Sequence, residues 1–312
     1  MTADAETPAE TTVSLTVVVV TYNTRELALE LLADLVGELE AFPDSQIVVF
    51  DNASDDGTAD AVRERFPAIQ VEASADNLGF AAAVNRAAAA AQSRWLLLVN
   101  PDARIDSGAV RTLVDAARQR PGHGLYGGRF VDMARGTAED SVAVVPTLAQ
   151  LAGYATGVDT IARRFGYRSA PRQAAASATN VEVDALPGCF LLVEMAAWKE
   201  LGGFDERYFM YGEDLDLSVR MARSGRRPMY VPSASIRHAG GASSSSGRKQ
   251  VLKLTSLVTF VHSHWPAWQA RLADLFLLTG VGLRRTARLP FRTPSGRWET
   301  AWRERRSWRD GW

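Results

Sequence analysis

The feature that most constrains the fold is an uninterrupted apolar run near the start of the 312-residue chain. Residues 15–20 read LTVVVV, and such a β-branched run favours a strand that is buried on both faces. Further strands are predicted at 47–50, 69–72 and 95–99, and helices are predicted between the strands at 25–40, 58–66 and 80–92. Strands that alternate with helices predict an α/β fold with right-handed crossovers and a mostly parallel sheet.

The second half of the chain carries a weaker pattern. We predict loops over 121–180 and a hinge or mobile loop at the Gly/Ser-rich stretch 240–247. Other predicted elements are a strand at 189–193, helices at 195–201 and 213–224, a short strand at 228–231 and a separate helical segment at 249–288. The predicted organisation is a disordered tail (1–12), an α/β domain (13–245) and a helical C-terminal extension (246–312).

Charge and cysteine content exclude several classes of protein. The 35 basic and 36 acidic residues nearly balance, whereas a nucleic-acid-binding fold is usually strongly basic. The single cysteine, Cys189, excludes an internal disulfide framework and fits a reducing compartment. The first twelve residues lack the pattern of a signal peptide, and no run approaches the roughly 20 apolar residues that span a bilayer. We expect a cytoplasmic protein, either free or peripheral on the inner face of the membrane.

Polar residues follow three of the predicted strands. These strands end in Thr21-Tyr22-Asn23, Asp51-Asn52 and Asn100-Pro101-Asp102. In an open parallel sheet the carboxyl ends share one edge, where ligands bind. A turn that caps the next helix explains 51–57 equally well by itself, but three polar strand ends together favour a binding site. The turn after the first strand, TYNTRE, lacks the glycines of a dinucleotide-binding unit, and no P-loop pattern is present.

Five ordered segments resemble the motifs of a known family. They read VVVVTYN, VVFDNASDDGT, DNLGFAAAVN, LLLVNPDA and GGFDERYFMYGEDLDLSVRMARSG. The set spans about residues 15–240 and is similar to the large inverting GT-A glycosyltransferase family, the second in the usual numbering, and most of all to its rhamnosyltransferase-like branch. This resemblance implies a Rossmann-like GT-A domain that transfers a sugar from a nucleotide diphosphate to a hydroxyl group.

The resemblance also implies a pocket for the nucleotide sugar. Its start is assigned to Thr21, Tyr22 and Asn23, and contacts with the base or ribose are assigned to Asp51 and Asn52. The segment that closes over the nucleotide and donor contains Asn77, Gly79 and Asn85.

A divalent cation, Mg²⁺ or Mn²⁺, is expected in this pocket, because cleavage of the sugar–phosphate bond leaves charge on the diphosphate. By resemblance, Asp102 matches the last acid of the family's Asp-X-Asp metal motif, and His238 is a further metal or diphosphate ligand. Asn100 replaces the first acid, as is common in the rhamnosyltransferase-like branch, so the cation should be held less tightly. The alternatives are a helix cap for Asp102 and a packing role for His238.

An inverting displacement needs a carboxylate that accepts the proton of the attacking hydroxyl. Three acids stand at the start of a predicted helix: Glu213, Asp214 and Asp216. Positions 213 and 216 share one helix face, and position 214 points about 100° away. The resemblance places the base on Asp214, with Glu213 as the second choice and Asp216 as a brace. Acids that only satisfy the helix dipole are the alternative.

The C-terminal extension is rich in arginine and tryptophan. From residue 284 onward nine arginines stand against three acids, and six tryptophans follow residue 264. These residue types together suit the interface between water and anionic lipid. A solvated tail or a contact between copies in a homo-oligomer is the alternative.

The predicted function is transfer of a sugar to a hydroxyl of a cell-envelope glycan or a lipid-linked saccharide, without a nucleic-acid partner. The branch implies L-rhamnose from dTDP-L-rhamnose. A nucleotidyltransferase would share the fold and metal, but its Gly-rich basic start is absent. A non-catalytic sugar-nucleotide-binding subunit would keep the pocket but should have lost the acids at 213 and 214.

Overall fold

The molecule is built on a mixed sheet of nine strands, counted over residues 13–137, 141–158, 177–238, 246–287 and 296–312, which the computed structural model describes. The strands are β1 (Leu15–Thr21), β2 (Gln46–Asp51), β3 (Gln70–Ala73), β4 (Trp95–Val99), β5 (Ala103–Ile105), β6 (Leu125–Asp132), β7 (Val181–Glu182), β8 (Phe190–Glu194) and β9 (Met229–His238). Their order is β3-β2-β1-β4-β8-β6-β9-β5, with β7 paired to β9 outside this path.

Helices cover the sheet and extend beyond it. They are α1 (Arg25–Leu39), α2 (Thr58–Arg65), α3 (Phe80–Ala88), α4 (Ala109–Gln119), α5 (Leu148–Thr156), α6 (Met195–Leu201), α7 (Glu213–Arg223), α8 (Ser246–His264), α9 (Ala267–Thr286), α10 (Arg297–Arg303) and α11 (Arg305–Arg309).

The apolar run of β1 lies at the centre of the parallel half of the sheet. All seven of its side chains are buried, and it pairs in parallel with β2 and β4. Beyond β4 the sheet becomes mixed, because β8 pairs antiparallel to both β4 and β6. The predicted α/β class with a mostly parallel sheet is confirmed.

Two predictions for the second half are wrong, since the interval 121–180 contains β6 and α5, and β9 extends well past residue 231. The predicted helical segment 249–288 is present and consists of two helices, α8 and α9. Gly127 and Gly128 weaken the apolar pattern of β6, yet a Cβ on Gly128 would lie 2.5 Å from the Ala234 carbonyl oxygen, so the strand needs glycine there. Pro266 lacks an N–H and separates the two helices.

The C-terminal helices form an apolar core of their own against the loop before α7. Trp308 is fully buried in it, together with Tyr208 from that loop. Trp298 and Trp302 are partly buried in the same core, beneath arginine side chains. Trp308 is therefore not available for contact with a lipid surface, and docking of the tail on a membrane stays a prediction.

Two further expectations concern segments that lie outside the described residues. These are the tail at 1–12 and positions 240–245 of the hinge, whereas Ser246 and Gly247 already belong to α8. Among the described helices, none has the length and hydropathy that a membrane span requires.

Candidate active site

The carboxyl ends of β1 and β2 are joined by a hydrogen-bond network. The Thr21 hydroxyl donates to Asp51 Oδ1 over 2.8 Å, and the Ser54 hydroxyl donates to the same oxygen over 2.6 Å. Asn23 closes the network from the other side, since its N–H donates to Ser54 Oγ over 2.9 Å. Tyr22 is exposed beside it. The network fixes the Asp51 carboxylate, whereas the Tyr22 side chain beside it remains exposed to solvent.

The loop before α3 is fastened to this edge by Asn52. Asn52 Nδ2 donates to Asn77 Oδ1 over 3.1 Å and to the Gly79 carbonyl over 3.3 Å, and its Oδ1 accepts from the Leu78 N–H over 2.8 Å. The Asn52 amide therefore holds the loop that was predicted to close over the donor.

Gly79 stands where this loop meets the segment before α7. Its φ is +82°, and a Cβ would lie 2.5 Å from the Phe209 carbonyl oxygen. The same oxygen accepts the Phe80 N–H over 2.7 Å. Only glycine tolerates both the backbone angle and the approach.

Asn85 is predicted to contact the sugar donor, but its side chain is hydrogen-bonded to residues 204 and 206. Its amide donates to the Phe204 carbonyl over 2.9 Å and to Glu206 Oε1 over 3.0 Å, and its Oδ1 accepts from the Phe204 N–H over 3.0 Å. These bonds make Asn85 a support for the Gly-Gly-Phe-Asp segment.

A short strand pair brings the two predicted metal ligands together. β5 runs antiparallel to β9 with Ala103 opposite His238, so Asp102 lies directly beside the histidine. His238 Nε2 is 3.2 Å from Asp102 Oδ1, and both side chains are only slightly exposed, at 13% and 12%. Neighbouring Asn100 donates its N–H to the Cys189 carbonyl over 3.1 Å, which ties this turn to the start of β8.

The Asp102 carboxylate fits Mg²⁺ or Mn²⁺, both of which prefer oxygen ligands. The imidazole nitrogen of His238 is a softer donor, which suits the transition ion Mn²⁺ better than Mg²⁺. The described residues hold no cluster of three or more His, Cys, Asp or Glu side chains suited to a metal ion. Two protein ligands are nevertheless what Mg²⁺ commonly uses when substrate phosphates complete its coordination.

The acids at the start of α7 face two different environments. Glu213 and Asp216 are buried, and Asp214 is half-buried, as the helical spacing predicts. Asp214 accepts the Gly188 N–H at 2.9 Å and the Leu215 N–H at 2.7 Å. Among the described residues, Glu213 Oε2 has no hydrogen-bond partner.

These environments separate the two candidate bases. Burial, and then the charge of Asp214, raise the pKa of Glu213 well above its usual range. Burial also raises the pKa of Asp214, but its backbone hydrogen bonds oppose that shift. Two adjacent carboxyls that repel each other share their protons unequally. We infer that Glu213 holds the proton and that Asp214 is the carboxylate available as a base.

Cys189 lies between the two groups of acids. Loss of solvent, followed by the charges of Asp214 and Asp102, raises the pKa of its thiol. The thiol therefore stays protonated. The Gly188 N–H donates to Asp214 Oδ2 and the Cys189 carbonyl accepts from Asn100, so this segment connects Asp214 with the Asn100–Asp102 turn.

Asp216 connects α7 to neighbouring parts of the chain through Arg220 and His264. Its Oδ2 accepts from Arg220 Nε over 2.7 Å, and Arg220 donates onward to the carbonyls of Leu201 and Gly203. Asp216 Oδ1 is 2.7 Å from His264 Nε2 at the end of α8. Sequence reasoning missed His264 because nothing in the local pattern marks a residue 48 positions away as a partner.

Comparison with solved structures identifies the fold. The chain is similar to the mannosyltransferase PcManGT from Pyrobaculum calidifontis in complex with GDP-Man and Mn²⁺, with a TM-score of 0.55 and 19% identity over 93% of this chain and 84% of that one. It is also similar to residues 1–349 of TarS from S. aureus, with a TM-score of 0.51 and 17% identity over 90% and 75% of the two chains. The fold is that of a GT-A glycosyltransferase.

Sequence comparison identifies the family. The family model "Glycosyltransferase like family 2" matches residues 13–254. A relative from Mycobacterium tuberculosis, N-acetylglucosaminyl-diphospho-decaprenol L-rhamnosyltransferase, is 32% identical over 274 residues, which cover 83% of this chain and 87% of the relative. Rhamnosyltransferase WbbL from Escherichia coli is 43% identical over 54 residues, which cover 17% and 20% of the two chains. The chain belongs to glycosyltransferase family 2.

Proposed function

We propose that this glycosyltransferase moves L-rhamnose from dTDP-L-rhamnose, with inversion at the sugar carbon, to a saccharide carried on a lipid diphosphate. The observation that carries the proposal is the 32% identity to an L-rhamnosyltransferase across most of both chains. That relative is named for an N-acetylglucosaminyl-diphospho-lipid, and the same acceptor class is proposed here.

Residues at the carboxyl ends of β1 and β2 bind the nucleotide in this proposal. Thr21 and Ser54 hold the Asp51 carboxylate in place, so Asp51 can accept from the base or ribose without a loss of side-chain freedom on binding. Tyr22 and Asn23 line the rim, and the Asn77–Gly79 loop covers the donor. Asn85 acts indirectly, through the segment that it supports.

Asp102 and His238 would hold Mg²⁺ or Mn²⁺ against the donor diphosphate. When bound, the cation would neutralise the charge that develops on the leaving diphosphate. Asn100 contributes no charge to this site, and its N–H bond to Cys189 keeps the turn in place.

Asp214 accepts the proton in the chemical step. The acceptor oxygen forms a bond to the sugar carbon while the bond from that carbon to the diphosphate oxygen breaks, and the bonding pair leaves with the diphosphate. Asp214 takes the hydroxyl proton as the new bond forms. Because Glu213 beside it is protonated, the two carboxyl groups together carry one negative charge instead of two.

We also propose that the helical region 246–312 docks the enzyme, as a peripheral protein, on the anionic inner face of the cytoplasmic membrane. The support is an apolar stripe on α9, formed by Trp268, Leu272, Leu275 and Leu283, in which Trp268 is 59% exposed and Leu275 is 55% exposed. Arg271 is exposed on the same helix. Aromatic, aliphatic and basic residues on one helix suit the headgroup boundary. A second copy of the chain is the alternative occupant.

A panel of sugar nucleotides tests the donor assignment. The intact protein is melted with dTDP-L-rhamnose, UDP-sugars and GDP-sugars, each with and without Mn²⁺, because a ligand of the native state raises the melting temperature. The proposal expects the largest shift with dTDP-L-rhamnose and Mn²⁺. A larger shift with a uridine or guanosine sugar would overturn the donor while it leaves the family intact.

A further inference from the structure

Several contacts fix one face of α8 against the loop before α7, which leads to the proposed catalytic base Asp214. Ser256 Oγ donates to the Met210 carbonyl over 2.9 Å, and Trp312 Nε1 is 3.0 Å from the same hydroxyl. A Cβ on Gly212 would lie 3.2 Å from Ser256 Cβ. Helix α8 therefore has a defined position against the loop that leads to Asp214.

Two lysines lie on this part of α8. Lys253 Nζ lies 5.5 Å from the centroid of the Tyr211 ring, and Tyr211 takes the unusual φ of +71° just before the base. Lys249 is four residues earlier, on the same helix face. Lys253 as a whole is exposed, and partial loss of solvent around its ammonium group lowers its pKa. Lys249 lowers this pKa further, and Asp214 opposes the shift. The contact with Tyr211 thus places the lysine pair beside the loop that leads to Asp214.

The pair lacks a balancing acid. Among the described residues, no carboxylate lies within ion-pair distance of Lys249 or Lys253, although most arginines near the site have an acidic partner. Like charges four residues apart on a helix repel each other. An anionic ligand that carries more than one charge would relieve this repulsion.

We propose that Lys249 and Lys253 bind a diphosphate, namely the one that joins sugar to lipid in the acceptor. The inference rests on the proposed function for its acceptor class. Two cation positions adjoin the segment that carries Asp214. The metal pair Asp102–His238 is linked to it through Gly188 and Cys189, and Lys253 lies against Tyr211, three residues before Asp214. A donor diphosphate at the metal pair leaves the lysines for the acceptor, whose hydroxyl must reach Asp214.

Binding of diphosphates without transfer gives the first test. The full-length protein is titrated calorimetrically with inorganic pyrophosphate and with farnesyl diphosphate in excess EDTA, which removes any metal-held binding. We expect Lys249→Gln/Lys253→Gln to bind roughly tenfold more weakly or worse, since each charge-assisted hydrogen bond is strong. Lys249→Arg/Lys253→Arg should retain binding. Arg118→Gln/Arg120→Gln removes two exposed charges from the end of α4 and should have no effect.

Kinetics separate the two possible sources of the diphosphate. With the lysine-to-glutamine variant, the KM for a lipid-diphosphate acceptor should rise roughly tenfold or more, whereas the KM for the donor and the melting temperature should stay unchanged. A rise in the donor KM alone would assign the lysines to the donor and overturn the proposal, as would equal pyrophosphate binding by wild type and variant. The calorimetric result does not require rhamnose transfer, so it stands even where the proposed donor fails.

Discussion

The donor edge (Thr21, Asp51, Asn52, Asn77 and Gly79) and the helical face made by α7 and α8 meet at the same site but are built differently. At the donor edge, Thr21, Asp51 and Asn52 stand at the ends of the buried strands β1 and β2. The loop residues Asn77 and Gly79 are held by the Asn52 side chain. The helical face joins residues from distant parts of the chain, such as Asp216 with His264 and Phe209 with Trp312. Local pattern therefore determines the first region, and packing of remote segments determines the second.

Substitution of the base should have the largest effect, and it falls on the helical face. Asp214→Asn removes the proton acceptor and little volume, so kcat should fall by on the order of 10² to 10⁴ with donor affinity retained. Glu213→Gln is the matched control, because glutamine resembles the protonated carboxyl that we assign to Glu213, and it should stay within a few-fold of wild type. A severe loss in Glu213→Gln together with an active Asp214→Asn would exchange the two roles.

The metal pair gives the next effect. Asp102→Ala should weaken Mn²⁺-dependent donor binding several-fold more than His238→Ala, because it removes a charged ligand rather than a neutral one. Donor titrations at fixed Mn²⁺ measure both variants. Full activity of the wild type in excess chelator would show that transfer does not require a divalent cation.

Gly79 tests whether the donor edge and the helical face are coupled. Gly79→Ala forces a side chain into the left-handed region and against the Phe209 carbonyl, so it should cost about 1–3 kcal/mol of unfolding free energy and raise the donor KM. Gly108→Ala is the matched control, since Gly108 also has a positive φ but open space around its Cβ position. If the two variants lose the same stability and keep the same donor KM, the contact with Phe209 has no role.

The smallest expected effect concerns the α9 stripe. Trp268→Ser/Leu275→Ser should reduce co-sedimentation with phosphatidylglycerol-containing vesicles at low salt, with the melting temperature kept, because both side chains are exposed. The wild type should dissociate as salt increases. If vesicle binding is unchanged and the variant instead converts a dimer to a monomer on size exclusion, the stripe is a contact between copies.

The same contrast explains what could be predicted from the sequence. The strand LTVVVV could be predicted from its continuous apolar run, and the different environments of the α7 acids could be predicted from helix spacing, because both signals lie within a few residues. β6 could not be recognised, because Gly127 and Gly128 serve a packing need set by Leu186 and Ala234. The lysines of α8 carry no local motif, and only the fold brings them to Asp214. The sequence also could not separate a buried Trp308 from an exposed Trp268.

The most direct test of the account is the structure of the product. The intact enzyme is incubated with dTDP-L-rhamnose, Mn²⁺ and an N-acetylglucosaminyl-diphospho-lipid, and the new glycosidic bond is examined by NMR. We expect one added rhamnose whose anomeric configuration is opposite to that of the donor, and no such product with Asp214→Asn. Retention of the donor's configuration would contradict a single displacement assisted by Asp214.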